Sequence, residues 1–416
     1  MIGANAIAVA SGTPVLDLIR TFVVLLAVVA LVEIVARRTP LPTTVILLVV
    51  GLAVGLLAPV RFEFTPQLVL TVLLPGLVFE AAYDMEAARL RHVLTPVFLL
   101  AVPGVLIVAG AVAVVLNAAA GLPLRESTVV GAMVAATDPV AVVAAFRRLP
   151  APRSLAVLVE AESLFNDGTS IVAFGLAVAA LSVPIDPAGA AVSFVGTIVL
   201  SILLGGATGL LVSRAITLVD DRAIEATVSI VLAYGTYLLA DALGQSGVIA
   251  TVVAGLAFGT YGRSIGMTER TVEALDVVWD LLAFILTAFA FLVVGMGITL
   301  DGLGRALVPG AWAIAAVLLA RAAIVYGLVG GWRLLSRGGG GPRPVAPRWL
   351  HVLFWAGLRG AVTVALALSL PLDLPDRQLL QGITFTVVLF TLLAQGTTAG
   401  LLMERTWVGP EAAAGP

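Results

Sequence analysis

The sequence predicts an all-α polytopic membrane protein with about 13 transmembrane helices. Three observations carry that reading: a composition too apolar for water, a succession of apolar stretches of spanning length, and arginines gathered in alternate loops. Of the 416 residues, 60% are hydrophobic and only 12% charged. A soluble domain carries about 25% charged residues, so this chain has too few polar groups to cover a surface in water. A bilayer removes that demand, because surface that faces lipid can be apolar.

A spanning helix needs roughly 20 mostly apolar residues. Stretches of that kind cover 15–36, 41–57, 64–82, 93–118, 127–146, 154–181 and 191–212. They continue at 223–240, a shorter 246–258, then 277–298, 308–335, 349–370 and 379–403. Glycine and proline punctuate the connections, as at Pro150, Pro184 and Gly338. The first stretch is too long for a signal-peptide core and ends at Arg37 and Arg38, so it reads as a retained span. After Trp407 only a short tail rich in Gly, Ala and Pro follows, and no cytoplasmic regulatory domain is expected.

An odd number of spans puts the two termini on opposite sides. On one side the loops hold only Arg61, Arg125, Arg305 and Arg377, with Arg20 near its edge, and the other loop arginines all fall on the opposite side. The arginine-rich side is cytoplasmic by the positive-inside rule. That places the N-terminus outside, the C-terminus inside and the chain in a cell inner membrane. A missed span would have scrambled the asymmetry.

Composition also removes several chemistries. There is no cysteine, and the only histidines are His92 and His351, which leaves little for a thiolate or imidazole metal site. All 23 basic residues are arginine, so a lysine Schiff base is excluded, and with it a retinal pump of the usual kind. No cofactor and no nucleic-acid partner are expected.

Charges inside a bilayer cost about 2.5–3.5 kcal/mol each on insertion scales, so each one asks for a reason. In the fifth span, Ala136-Thr137-Asp138-Pro139 contains a proline that lacks an N–H and drives Asp138 out of the α region. The helix should break there, in mid-membrane, where irregular backbone is tolerated only against protein or a water-filled cavity. Asp138 then serves as a cap for the second half-helix, as an ion ligand, or as both. In the sixth span, Ser163, Asp167 and Ser170 follow i, i+4, i+7 spacing on one helical face, with Glu162 and Asn166 on a neighbouring stripe. Glu80 closes the third span and reads equally as an interfacial carboxylate or a functional one. Arg321 lies too deep in the eleventh span to snorkel and needs a buried carboxylate, for which Glu162 is the candidate. Arg359 stands in Gly357-Leu358-Arg359-Gly360-Ala361, where the flanking glycines suggest a second interrupted helix. Its charge would offset the negative ends of the broken helices, as Asp138 offsets the positive ends. Glu33, Asp241 and Asp280 lie near span ends and read as interfacial, and the small residues about Gly247 and Gly255 as close helix packing.

At these residues the chain resembles the sodium/proton exchangers of the cation:proton antiporter family, the bacterial NhaP type in particular. The match rests on Ala136-Thr137-Asp138-Pro139, on Glu162-Ser163-Leu164-Phe165-Asn166-Asp167, on Arg321, and on Gly357 to Ala361. Leu393-Ala394-Gln395-Gly396 is similar as well. Ala161 departs from the glycine usual before Glu-Ser. The resemblance implies two inverted repeats, about 15–181 and 223–403, joined by a span near 191–212 in one transmembrane antiporter domain, with spans 5 and 12 interrupted and crossed. It implies that Na+ or Li+ and a proton compete for Asp167, with Asp138, Ser163 and Thr137 completing the cation site. Glu80 would be an accessory acid, Asn166 and Arg359 supporting groups, and Glu162 the partner of Arg321. It further implies a homodimer in membrane lipid and a core that moves past a static dimerisation domain. Because Asn166 is neutral beside Asp167, exchange should be electroneutral, one cation for one proton.

Competition for a single carboxylate suffices for exchange, since moving it bare costs solvation energy. Oxygen ligands suit hard cations such as Na+ and Li+, but the residue types alone leave K+/H+ exchange open. Two further readings are a cation channel, which needs no alternating access, and an intramembrane aspartyl protease using Asp138 and Asp167 as a dyad. Single cysteines in this cysteine-free chain report sidedness directly. Cysteine at Pro152 or Gly340 should react only with reagents that reach the cytoplasm, and cysteine at Pro187 or Gly302 only from outside; labelling of both sets from one side would sink the span assignment.

Overall fold

The computed structural model describes residues 14–36, 38–39, 42–57, 69–148, 151–182, 186–219, 221–297, 300–335 and 345–406. Arg37, Arg61, Arg337, Gly340, Arg343, the start of the third predicted span and the tail from Trp407 lie outside the described residues. Within them, the regular elements are all helical: α1 (Pro14–Ala36), α2 (Thr43–Leu57), α3 (Leu74–Tyr83), α4 (Ala87–Ala101), α5 (Pro103–Ala120) and α6 (Leu124–Ala135). The chain continues through α7 (Val140–Arg148), α8 (Arg153–Ser182), α9 (Pro187–Ile216), α10 (Arg222–Ala242), α11 (Gly247–Ala257) and α12 (Glu269–Met296). It ends with α13 (Leu300–Ala322), α14 (Pro347–Trp355), α15 (Ala361–Leu368), α16 (Arg377–Phe390) and α17 (Thr397–Thr406). Among the described residues, eight stretches are helical, long and apolar enough to cross a membrane, and three shorter apolar helices accompany them. The molecule is an all-α polytopic membrane protein.

Local signals explain the helix ends. Asp221 accepts from the N–H groups of Ala223 (2.9 Å) and Ile224 (3.1 Å) and caps α10. Asp186 caps α9, which begins on Pro187, and α5 stops at Gly121 in the left-handed region (φ 67°). Four predicted boundaries need correction: the tenth and eleventh spans start at Glu269 and Leu300, eight residues before the predicted 277 and 308, and the fourth and ninth also run further than predicted. The fourth span starts at Ala87, six residues before the predicted 93, because Arg89 and Arg91 occupy helical positions at its end that an apolar-length criterion discards. The ninth does not stop at Phe258 but runs through a wide π turn at Phe258–Gly262 to Ile265. Its polar extension is held from outside: Arg263 bonds Asp84 (3.2 Å) and Asp276 (3.1 Å) and lies 4.1 Å from the centre of the Tyr83 ring.

The helices pack as two groups. One consists of α4 to α8 with α13 to α17, the other of α1 to α3 with α9 to α12. They meet where α8 touches α3, α9 and α11, and where α15 touches α12. Within the second group, backbones come very close at small residues. A Cβ on Gly209 would lie 3.0 Å from the Ala254 Cα, and one on Gly255 would lie 3.0 Å from the Phe79 carbonyl oxygen. Phe79 and Trp279 pack tilted by 36° with 4.7 Å between ring centres, and the Trp279 indole N–H donates to Ser229.

In the first group one buried ion pair ties three helices. The Arg321 guanidinium on α13 grips both carboxylate oxygens of Glu162 on α8, with Nη2 2.9 Å from Oε2, and donates at 2.6 Å to the Leu353 carbonyl on α14. Both side chains are buried. Gly357 lets the guanidinium in, since a Cβ there would sit 2.9 Å from Arg321 Nε. Removing one partner strands the other, so Glu162→Ala and Arg321→Ala should each cost ~3–5 kcal/mol. The double variant should lose less than the sum in thermal unfolding, and strict additivity would deny the contact.

Candidate functional site

The fifth predicted span is interrupted where expected: α6 ends at Ala135 and α7 starts at Val140, with residues 136–139 outside any helix. The twelfth is interrupted likewise between α14 and α15, at residues 356–360. An interrupted helix leaves carbonyls at the end of its first half and N–H groups at the start of its second. Here the two interruptions lie against one another and serve each other's needs. The Asp138 N–H donates to the Leu358 carbonyl at 2.8 Å. Arg359 Nη1 (3.2 Å) and the Thr363 hydroxyl (3.4 Å) both donate to the Ala136 carbonyl at the end of α6. The Arg359 N–H finds Thr391 Oγ1 at 3.1 Å, in the π turn that continues α16.

Asp138 accepts from the Val140 N–H at 3.0 Å and so caps α7, while the backbone of Ala361 at the start of α15 addresses the same carboxylate. Gly360 has to be glycine, because a Cβ there would collide with that carboxylate. Capping and ligation are compatible, since a carboxylate offers about four lone-pair directions.

Helix α8 supplies the opposite wall. Ser163 donates its hydroxyl proton to the Thr137 carbonyl at 2.5 Å, which leaves its lone pairs available. One helical turn on stands Asp167, whose Oδ1 is buried and has no hydrogen-bond partner; the Thr137 hydroxyl is likewise buried and unpartnered. Both residues line a cavity of about 180 Å³ together with Asp138, Ser163, Glu80 and Gly360. Asn166 faces away into the helix bundle, where its side-chain oxygen accepts from Ser170 at 3.0 Å. Arg359 is 1% exposed.

The structure therefore brings Asp167, Asp138, Ser163, Thr137 and Glu80 to one cavity and sets Asn166, Glu162, Arg321 and Arg359 around it. Glu80, ambiguous in sequence, is part of the wall, and its carboxylate lies within 4.8 Å of those of Asp84 and Asp280 at the exposed edge. Asp280 is exposed. Glu160 also lines the cavity and was given no role above, although its i, i+3, i+7 spacing to Ser163 and Asp167 marks the same face. Thr363 and Thr391 carried no sequence signal, for a threonine in an apolar span usually bonds its own helix. The cavity offers oxygen donors with no soft ligand among them, which suits a hard monovalent cation or a proton.

Known proteins bear on this arrangement. A family model described as the transmembrane sodium/hydrogen exchanger matches residues 23–405. The chain is similar to the Na+/H+ antiporter ApNhaP of Aphanothece halophytica, at 38% identity over 91% of this chain and 72% of that one. It is similar to the Na+/H+ antiporter NhaP of Pseudomonas aeruginosa, at 34% identity over 84% of this chain and 83% of that one. Among solved structures it is similar to the sodium proton antiporter MjNhaP1 of Methanocaldococcus jannaschii, with a TM-score of 0.75 at 22% identity, covering 93% of this chain and 98% of the other; this likeness speaks for the fold alone. The chain thus belongs to the transmembrane sodium/hydrogen exchanger family, among the NhaP-type cation:proton antiporters, and is a transporter, not a hydrolytic enzyme.

Proposed function

We propose that this protein is a secondary antiporter that exchanges Na+ or Li+ for H+ by alternating access, with cation and proton competing for Asp167. The observation that carries the assignment is the buried, unpartnered Asp167 Oδ1 beside the unpartnered Thr137 hydroxyl in a cavity walled by two interrupted helices. Several buried polar atoms elsewhere also lack a hydrogen-bond partner, but these two lie together on the wall of one cavity, and an unpaired buried acceptor is costly unless something occupies it in turn. Asp138 and Ser163 complete the ligand set, and Glu80 is an accessory acid at the cavity wall. With Asn166 neutral beside Asp167, one titrating carboxylate is shared, and one cation exchanges for one proton without net charge movement.

The same reading extends to architecture. Eight long apolar helices, three shorter ones and two interrupted pairs support 13 crossings. The mutual pairing of the breaks supports two inverted repeats, about 15–181 and 223–403, within one transmembrane domain. Arginine asymmetry supports an inner-membrane protein with its N-terminus outside and its C-terminus in the cytoplasm. The group α4 to α8 with α13 to α17 would be the moving core, and the other group the frame on which a homodimer forms in lipid.

Purified protein in liposomes tests the assignment. Adding Na+ or Li+ should release protons from the lumen, and exchange with K+ alone would redirect the assignment to K+/H+ antiport. Clamping the potential with K+ and valinomycin should leave the rate and end point unchanged, whereas an end point that follows the potential would refute one-for-one exchange. Asp167→Asn should reduce exchange to background, since no group would remain to be shared.

A further inference from the structure

The two helix groups contribute unlike halves to the wall of the cavity. From one come the oxygen-bearing Thr137, Asp138, Glu160, Ser163 and Asp167. The other half is apolar, with two exceptions among the described residues: Glu80 on α3 and Thr287 on α12. Thr287 has no part in the site as derived above. A threonine in an apolar helix ordinarily gives its hydroxyl proton to a carbonyl one turn back, as Thr227, Thr384 and Thr386 do at 2.7–2.9 Å. Thr287 makes no such bond, nor any other among the described residues, and it is only partly buried. Its hydroxyl is left to the cavity.

Neighbouring contacts fix its depth. On α12, Asp280 lies beside Glu80 and Asp84 at the exposed edge, and Thr287 follows on the same face two helical turns, about 10 Å, further in. Thr287 and Ala290 share the cavity with Gly360 and Ala361 at the start of α15, while a Cβ on Gly297 would lie 3.3 Å from the Leu368 side chain at its end. The two helices therefore run side by side in one direction. Counting back from Gly297 and Leu368 sets Ala361 about level with Ala290, one turn beyond Thr287. Gly360, against the Asp138 carboxylate, belongs to that level. On α8 the order repeats, with Glu160 first and Asp167 two turns on. Thr287 thus stands at the depth of the ion ligands, on the other helix group.

We propose that Thr287 is a cation-binding residue supplied by the frame, whose hydroxyl oxygen joins the oxygen shell of Na+ or Li+ at Asp167 while the core stands as it does here. This rests on the antiport reading above. Asp138, Asp167, Ser163 and Thr137 travel with the core, whereas Thr287 stays on α12. A hydroxyl suits that place: it is a hard oxygen ligand, and being neutral it leaves no charge behind when the core departs. The cation therefore has one oxygen fewer in the opposite orientation, so the two faces of the membrane bind it unequally. The cavity reaches the exposed edge at Asp84 and Asp280, the cytoplasmic end in the reading above, and that face binds more tightly. Such a difference in affinity draws the cation-loaded core toward the orientation seen here.

The test is the KM for Na+ on each face, for wild type, Thr287→Val and Thr287→Ser, in membrane vesicles from a bacterial host without Na+/H+ antiporters of its own. In everted vesicles added Na+ meets the cytoplasmic face, and in right-side-out vesicles the outer one. Thr287→Val keeps the shape and removes the oxygen, so its KM should rise about tenfold in everted vesicles and less than twofold in right-side-out ones, with the maximal rate unchanged. Thr287→Ser keeps the oxygen and should match wild type on both faces. A Thr287→Val protein with wild-type KM at the cytoplasmic face overturns the proposal. So does an equal rise on both faces, which would mark a change of packing, or a Thr287→Ser protein as impaired as Thr287→Val, which would make the methyl group the reason for the residue. Should Thr287→Val fail to fold, Thr287→Ala takes its place with the same readings. A wild type without cation-driven proton flux refutes the antiport reading and this role with it, whereas an active wild type beside an unaffected Thr287→Val refutes the role alone.

Discussion

In a hydrocarbon interior every backbone N–H and C=O must find a partner within the protein. Two helices here are interrupted, and the rest of the site follows from how the breaks are repaired. A single break would strand its carbonyls and amides. Set against each other, the breaks exchange partners: the Asp138 amide to the Leu358 carbonyl, the Arg359 guanidinium and Thr363 to the Ala136 carbonyl. This explains the residue types on both sides. Pro139 opens one helix, Gly360 admits the Asp138 carboxylate against the other, and Gly357 admits Arg321.

The oxygens that remain after this repair are the ones the proposed exchange would use. Ser163 has given its proton to Thr137, and Asp138 is engaged by two helix starts yet still offers lone pairs. Asp167 Oδ1 and the Thr137 hydroxyl are left over. A surface carboxylate would be hydrated at all times and would hold neither a bare cation nor a proton with any advantage. Surrounded by apolar side chains and fixed dipoles, it gains from either one and cannot hold both.

Location turns this site into a candidate for transport. Asp138, Ser163 and Asp167 belong to one group of helices, while Leu73, Leu74, Glu80 and Phe291 close the cavity from the other. The ligands share one body through the breaks, the Glu162–Arg321 pair and the Ser163–Thr137 bond, so a displacement between the groups would carry the site whole. The small residues within the second group pack its backbones tightly.

Much of this was legible in the sequence. Apolar length and arginine placement foretold an all-helical membrane protein, Pro139 and the glycines about Arg359 foretold the interruptions, and the isolated opposite charges of Glu162 and Arg321 foretold their pairing. Those features are local, or are so costly in lipid that only one remedy exists. Other features were beyond reach. Glu80 gained its place on the cavity wall only from the packing of α3 against α8 and α12. Glu160 shares a face with Asp167, but whether that face meets lipid, protein or a cavity depends on its neighbours. Thr363 and Thr391 look like any hydroxyls in apolar spans until a broken helix presents a carbonyl or an amide to them. By itself the sequence determined which groups could not be left alone in a membrane, because burial cost belongs to the residue type. Only the tertiary structure decided which group met which, because partners more than 200 positions apart, such as Ala136 and Arg359, are joined by packing that no local pattern encodes.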